Sequence, residues 1–285
     1  MHVRKLFGLL LLLLLLFFTR PVWEGPAEKY VDLSFLDAVD EMIENVTADA
    51  DVSKALDEAK YFTTRISHQL QTMVTESSAG LPETVAKPEL SDTDSMVAVH
   101  NVTLGMSKDQ AQQKLGLPMR LMENEYGTDW HSYHQDYQNY VLLSYDGNGE
   151  VNGMFTNQDL ISSTEGFSMD STKAQVRELF GTPLTSLQKG RVQYILDSRD
   201  EYDLFETADS YTTVFYDIHE GDTVTAVQVI DKDLEEQRSE IYAEPSPEVK
   251  EGYEFLLFEL TNSARIQREL PLLKWDAETM ERPRE

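Results

Sequence analysis

One unit occurs twice in this chain, and that repeat limits the fold more than any single motif. The run Leu104-Gly105-Met106-Ser107-Lys108-Asp109-Gln110-Ala111-Gln112-Gln113-Lys114-Leu115-Gly116-Leu117-Pro118 has a counterpart 65 residues later. That counterpart reads Met169-Asp170-Ser171-Thr172-Lys173-Ala174-Gln175-Val176-Arg177-Glu178-Leu179-Phe180-Gly181-Thr182-Pro183, and the two align without a gap. A repeated supersecondary unit sets architecture first, because one copy alone cannot bury its apolar face and needs a neighbour.

Each copy opens with a helix signature. Ser107 and Thr172 are N-cap residues whose hydroxyls can accept from free amides of the first turn, and Gln110 and Gln175 three positions on complete capping boxes. Apolar positions recur at helical spacing, as Ala111 and Leu115 in one copy and Val176, Leu179 and Phe180 in the other. Gly116 and Gly181 suit the C′ position, and Pro118 and Pro183 prevent the helix from resuming.

Strand signals follow each helix. In the first copy they cover Trp130 to Tyr137, Asn139 to Tyr145 and Val151 to Phe155, with Asp146-Gly147-Asn148-Gly149 as a hairpin turn. In the second copy they cover Arg191 to Leu196, Tyr211 to Tyr216 and Val224 to Ile230, with Glu220-Gly221-Asp222 as the equivalent turn. The expectation is an α+β fold, a tandem repeat of a short helix plus about three antiparallel strands. The copies span about 102–160 and 167–232, and their sheets join or pack into one domain at 96–237.

Charge narrows the partners. With 51 acidic and 24 basic side chains the net charge is −27, which argues against nucleic acid and against binding to anionic lipid. Such a surface keeps a protein hydrated, and it also suits divalent cations or a basic partner. Cysteine is absent, so there is no disulfide framework, thiolate nucleophile or cysteine metal site.

The N-terminal region gives an address. Arg4 and Lys5 precede an apolar run from Leu6 to Phe18 that has the form of an export signal. The run is short for a spanning helix, and no small-x-small cleavage site follows it, so residues 1–23 are either a cleaved signal or a retained membrane anchor. Both place the rest of the chain outside the cytoplasm. Residues 24–95 are polar and acidic, with helical patterns at Leu33–Ile43 and Asp51–Val74 and a Ser/Glu/Pro/Asp/Thr-rich linker from Thr75 to Asp94. They are expected to form a helical or disordered stalk.

Several constellations resemble sites. His131 and His134 would share a helix face as metal ligands, but their segment has strand character, and in a strand an offset of three separates the faces. Asp146, Asn148 and Glu150 imitate a calcium loop, yet Val151 and Asn157 stand where its glycine and its twelfth-position glutamate belong. Asp197, Asp200, Glu201, Asp203, Glu206 and Asp209 form an acidic cluster expected in a solvated loop. Trp130, Tyr133, Tyr137, Tyr140 and Tyr145 either line a sugar-stacking face or pack across strands. Asn45-Val46-Thr47 and Asn101-Val102-Thr103 match the glycosylation pattern. No serine–histidine–acid set, phosphate loop or nucleotide fingerprint is present. No residue is assigned a catalytic, cofactor-binding or metal role, and no cofactor is implied.

The C-terminal region begins with a polar link at 238–250 containing Glu244-Pro245-Ser246-Pro247-Glu248. An amphipathic helix then spans Glu254 to Glu269, with Phe255, Leu256, Phe258, Leu260 and Ile266 apolar, and Leu270-Pro271-Leu272-Leu273-Lys274-Trp275-Asp276 follows it. Asn262, Arg265, Leu270, Pro271, Leu272, Trp275 and Asp276 resemble the opening of a CAP domain, the family of cysteine-rich secretory proteins, venom allergen 5 and plant pathogenesis-related protein 1. The resemblance implies that residues 251–285 are the N-terminal fragment of an α/β/α CAP sandwich. The family's cleft histidines and acids come later in that domain, so none is carried over. Phe255, Leu256 and Phe258 are expected to be exposed or docked on the repeats.

The upstream arrangement is similar to the bacterial CAP-associated N-terminal domain of Bacillus-like bacteria. Ser107, Gly116, Pro118 and Tyr145, with Thr172, Gly181, Pro183 and Tyr216, carry that likeness. It implies a non-enzymatic extracytoplasmic accessory or binding module of a CAP protein, acting on a cell-surface or wall ligand or a protein partner. Two rivals stand beside it: a hydrolase or ligand-binding CAP protein whose cleft lies outside these residues, and a divalent-cation-responsive surface protein.

Overall fold

A computed structural model describes residues 81–198 and 200–275. The N-terminal apolar run, the two stalk helices, Asn45 and Asp276 lie outside the described residues. Among the described residues no helix is long and apolar enough to cross a membrane.

Two eight-residue helices form where the capping boxes predict them, α1 at Lys108–Leu115 and α2 at Lys173–Phe180. Ser107 and Thr172 accept from the amides of Gln110 and Gln175, whose side chains return to the N-cap backbone. Gly116 and Gly181 close the helices at φ 78° and 88° with ψ near −160° and −147°, a region open essentially to glycine.

The strands are β1 Ala98–Val99, β2 Arg120–Glu123, β3 Asp129–Gln135, β4 Gln138–Tyr145, β5 Val151–Thr156, β6 Ile161–Ser162, β7 Ser186–Lys189, β8 Val192–Ile195, β9 Tyr202–Glu206, β10 Ser210–Asp217 and β11 Thr223–Asp231. Seven of them make one antiparallel sheet in the order β2-β3-β4-β5-β11-β10-β9. The two halves meet at its centre, where β5 pairs with β11 from Val227↔Thr156 to Ile230↔Gly153. A β7-β8 hairpin and a short antiparallel pair of distant segments, β1-β6, are separate from it in pairing. A helical turn α3 (Lys232–Gln237) and a long helix α4 (Pro247–Gln267) follow.

The period of two along each strand sorts residues to opposite faces. Leu143, Met154, Val229, Thr212 and Phe205 are cross-strand neighbours on one face. The apolar four of these, with Tyr133, Val141, Val214 and Val227, pack with Ala111 of α1, Val176 of α2 and Val99 and Ile161 of the β1-β6 pair into the main core. The other face carries Met122, Trp130, Tyr140, Leu142 and Ile230, which meet Leu234 of α3 and Phe255, Leu256 and Leu260 of α4.

Several expectations need correction. Each half has more than three strands, because β2, β7 and β9 were not recognised. β9 overturns the reading of the acidic cluster as a wholly solvated loop, since Asp203 is a buried strand residue. The helix expected from Glu254 starts at Pro247, with Ser246 as N-cap accepting from the Val249 amide at 3.0 Å. Part of the expected link at 238–250 is therefore helical. Residues 81–95, read as linker, lie along the domain, with Val85 N donating to Gln138 Oε1 at 3.0 Å and Asn139 Nδ2 to the Ala86 carbonyl at 2.9 Å. Of the two arrangements expected for Phe255 and Leu256, exposed or docked on the repeats, the structure has the second, with α4 docked on the sheet.

Candidate functional site

The site is built from the sheet residues that receive α4. Helical spacing along α4 brings positions 252, 255, 256, 259, 260 and 263 to one side. In the sequence these are Gly252, Phe255, Leu256, Glu259, Leu260 and Ser263, so a carboxylate and a hydroxyl sit among apolar docking residues. Gly252 lies so close to β2 that a Cβ there would overlap the Glu123 carbonyl oxygen. The helix backbone and the strand backbone touch, and any side chain at 252 forces them apart.

Glu259 is the central group, with its side chain 2% exposed. Arg120 Nε donates to its Oε1 at 2.9 Å, and Tyr140 Oη donates to its Oε2 at 3.2 Å. The Arg120 guanidinium also lies 3.8 Å from the centre of the Phe255 ring, so one arginine holds two faces of the helix contact. Burial raises the Glu259 pKa, and the Arg120 charge and the hydrogen bonds it accepts oppose that shift. Ser263, also buried, accepts from Gln158 Nε2 at 2.7 Å and donates to Asn157 Oδ1 at 2.7 Å.

The other side of α4 holds the segment after it. Asn262 Oδ1 accepts from the Leu273 amide at 2.7 Å, and its Nδ2 donates to the Leu273 carbonyl at 3.1 Å. Arg265 Nε donates to the Pro271 carbonyl at 2.7 Å, and Trp275 stacks on Phe255 with centroids 4.4 Å apart. The asparagine and arginine of the CAP-like pattern thus fasten its Leu-Pro-Leu link to the helix. Phe255 and Leu256 pack on the sheet, and Phe258 meets Tyr137 and Trp275 edge-on.

Beside α4 a groove of about 130 Å³ remains, walled by Trp130, Leu142, Phe155, Phe215, Leu256 and Leu260. Glu125 and Tyr253 stand at this groove, with Tyr253 Oη donating to Glu125 Oε2 at 3.4 Å. Burial raises the Glu125 pKa.

The constellations singled out by sequence resolve differently. His131 lies on the α1/α2 face, edge-on to Tyr145 at 4.9 Å, and burial lowers its pKa to about 3, so it is neutral. His134 stacks on Tyr137 and Tyr140 and accepts from the Tyr137 amide at 3.0 Å, so the two histidines do not converge. Asp146 Oδ1 accepts from the amides of Asn148 and Glu150 at 2.9 and 2.8 Å and closes the hairpin turn. Asn101 is tied to Ser91 and Glu89 through both side-chain atoms. Trp130, Tyr133, Tyr140 and Tyr145 are buried and pack across strands, and the Tyr133 and Tyr145 hydroxyls meet at 2.9 Å.

The acidic cluster is largely paired. Arg177 of α2 grips Asp203 through Nε and Nη2 at 2.8 and 2.9 Å, and Tyr216 Oη donates to Asp203 at 3.1 Å. Asp200 meets Lys173 at 3.0 Å, which lowers its pKa, and Glu206 pairs with Lys232. Among the described residues no three His, Asp or Glu side chains are placed to hold a metal ion.

Glu259, Arg120 and Gly252 were missed at the level of sequence. The signal was present: a glutamate at a core-facing helical position, seven residues after a glycine on the same face.

Comparisons agree with this architecture. Residues 104–241 match the family model described as CAP-associated N-terminal. An extracellular protein containing a SCP domain from Bacillus anthracis str. Ames shares the fold at 23% identity and a TM-score of 0.50, with 69% of each chain covered. A cysteine-rich secretory protein from Staphylococcus aureus subsp. aureus Mu50 aligns at 18% identity and a TM-score of 0.47, covering 61% of this chain and 64% of that one. No curated protein matches the chain. Residues 104–241 of the chain are thus similar to a CAP-associated N-terminal domain.

Proposed function

We propose that this chain acts outside the cytoplasm as a non-enzymatic accessory module of a CAP-type protein, and that it fixes the direction in which a CAP domain leaves it. The observation that carries the reading is the seating of α4. The helix that resembles the start of a CAP domain is held on the sheet by Glu259 with Arg120 and Tyr140, and it holds its own Leu-Pro-Leu link through Asn262 and Arg265. Two copies of a helix-plus-strands unit, joined through β5 and β11, supply a sheet wide enough to receive it. The segment 1–23 delivers or tethers the module, and residues 24–80 space it from its attachment.

The test is enzymatic. Purified protein incubated with peptides and with isolated wall polymer is expected to release no product above a heat-treated control. Sustained hydrolysis that scales with protein concentration would contradict the reading and favour a hydrolase.

A further inference from the structure

The family match ends at residue 241, whereas α4 begins at Pro247. The helix that completes the sheet face therefore comes from outside the matched module. It arrives through a short segment in which Tyr242, Glu244 and Pro245 are exposed, and the packing of α4 itself is against β2 and β4.

The composition of the contact is unusual for a permanent core. Its apolar part, Phe255, Leu256 and Leu260 against Met122, Trp130 and Leu142, would tolerate sliding, since dispersion and apolar burial are non-directional. Its polar part would not. Arg120 and Tyr140 present donors to both oxygens of Glu259, Gln158 and Asn157 frame the Ser263 hydroxyl, and only glycine fits where residue 252 meets the Glu123 backbone. Buried polar groups of this kind discriminate, because a mismatched partner leaves them unpaired at full desolvation cost.

We propose that this face is a helix-recognition socket that binds α4 as a separable ligand. Its partner is an amphipathic helix with glycine at the close approach, an aromatic–aliphatic pair three and four residues on, and a carboxylate seven residues on. The socket holds α4 without needing the chain to be continuous through 242–246. This goes beyond the accessory role: it concerns what the socket recognises, and it stands or falls separately from any hydrolytic activity.

The experiment uses the full chain with a site-specific protease sequence placed within residues 242–246. After cleavage under native conditions the two pieces are expected to co-elute in gel filtration. Glu259→Met leaves Arg120 facing an apolar group, and retention is expected to weaken on the order of 100-fold. Arg120→Met, which leaves the helix sequence intact, carries the same expectation if the first variant does not fold. The double variant Arg120→Met/Glu259→Met is expected to recover most of the loss, as pairing requires. Leu257→Ser, on the exposed side of α4, is expected to change nothing. Separation of the two pieces after cleavage of the chain unsubstituted at Glu259 and Arg120, or equal retention by Glu259→Met, overturns the proposal.

Discussion

On the α1/α2 face of the sheet, Val141, Leu143, Met154, Val214 and Val227 are sealed under two capped helices and the β1-β6 pair. On the α4 face a smaller apolar cluster around Met122, Trp130 and Leu142 surrounds a buried carboxylate, a buried serine and an open groove. Both faces arise from the same strands by alternation. The first gains stability from continuous apolar burial and asks little of geometry. The second gives up part of that gain for directional bonds, and so fixes the register of one particular helix.

The two faces should also respond oppositely to pH, and this is the largest expected effect. His131, on the first face, has its pKa lowered by burial from 6.5 to about 3. The folded state then binds fewer protons than the unfolded one, so the stability it contributes is present above about 6.5 and lost as pH falls toward about 3. Fully developed, the loss is on the order of 4–5 kcal/mol. His131→Phe should flatten the acid limb of thermal stability between pH 6.5 and 4. An unchanged limb would place the acid sensitivity elsewhere. Glu259 works the other way: its raised pKa gives stability that is present at low pH and lost as pH rises through the folded value. Acidification should therefore loosen the first face while it tightens the seating of α4.

Smaller effects sharpen the contrast. Glu259→Met should destabilise α4 by about 3 kcal/mol, because Arg120 loses its partner while keeping some access to water. A loss spread equally over both faces in urea unfolding would contradict the separation. At the low end, Ser107→Ala and Thr172→Ala should each cost about 1 kcal/mol, a capping loss. Thermal melts of the two single variants should agree within error if the caps of α1 and α2 are equivalent.

How far these features were legible in the sequence follows the range of the interactions that make them. The caps were readable because Ser107 and Gln110, or Thr172 and Gln175, complete their bonds within one turn. β10 was readable because its alternation is uninterrupted, and β4 and β11 because they are rich in β-branched, aromatic and other apolar residues. β9 was hidden because Asp203 and Glu206 bracket Leu204 and Phe205 in an acid-rich stretch, and the arginine that makes Asp203 fit lies 26 residues away. β2 is four residues long with a charge at each end, and its Arg120 finds its partner 139 residues later. The start of α4 was misplaced because Ser246-Pro247 was taken for link, although proline is suited to the first helical turn. The site was legible only on its helix side: the spacing of Gly252 and Glu259 is in the sequence, but their partners Arg120 and Tyr140 lie on two strands that sequence alone does not bring together.

The most direct test of the account is amide hydrogen exchange over residues 247–267 in the full chain, compared with β4, β5 and β11. The seating described here predicts that α4 amides are protected to a degree approaching the sheet, and that Glu259→Met strips this protection from α4 while the sheet stays unchanged. Exchange of wild-type α4 at the rate of a free helix, or its indifference to Glu259→Met, would show that the helix is not held by this socket.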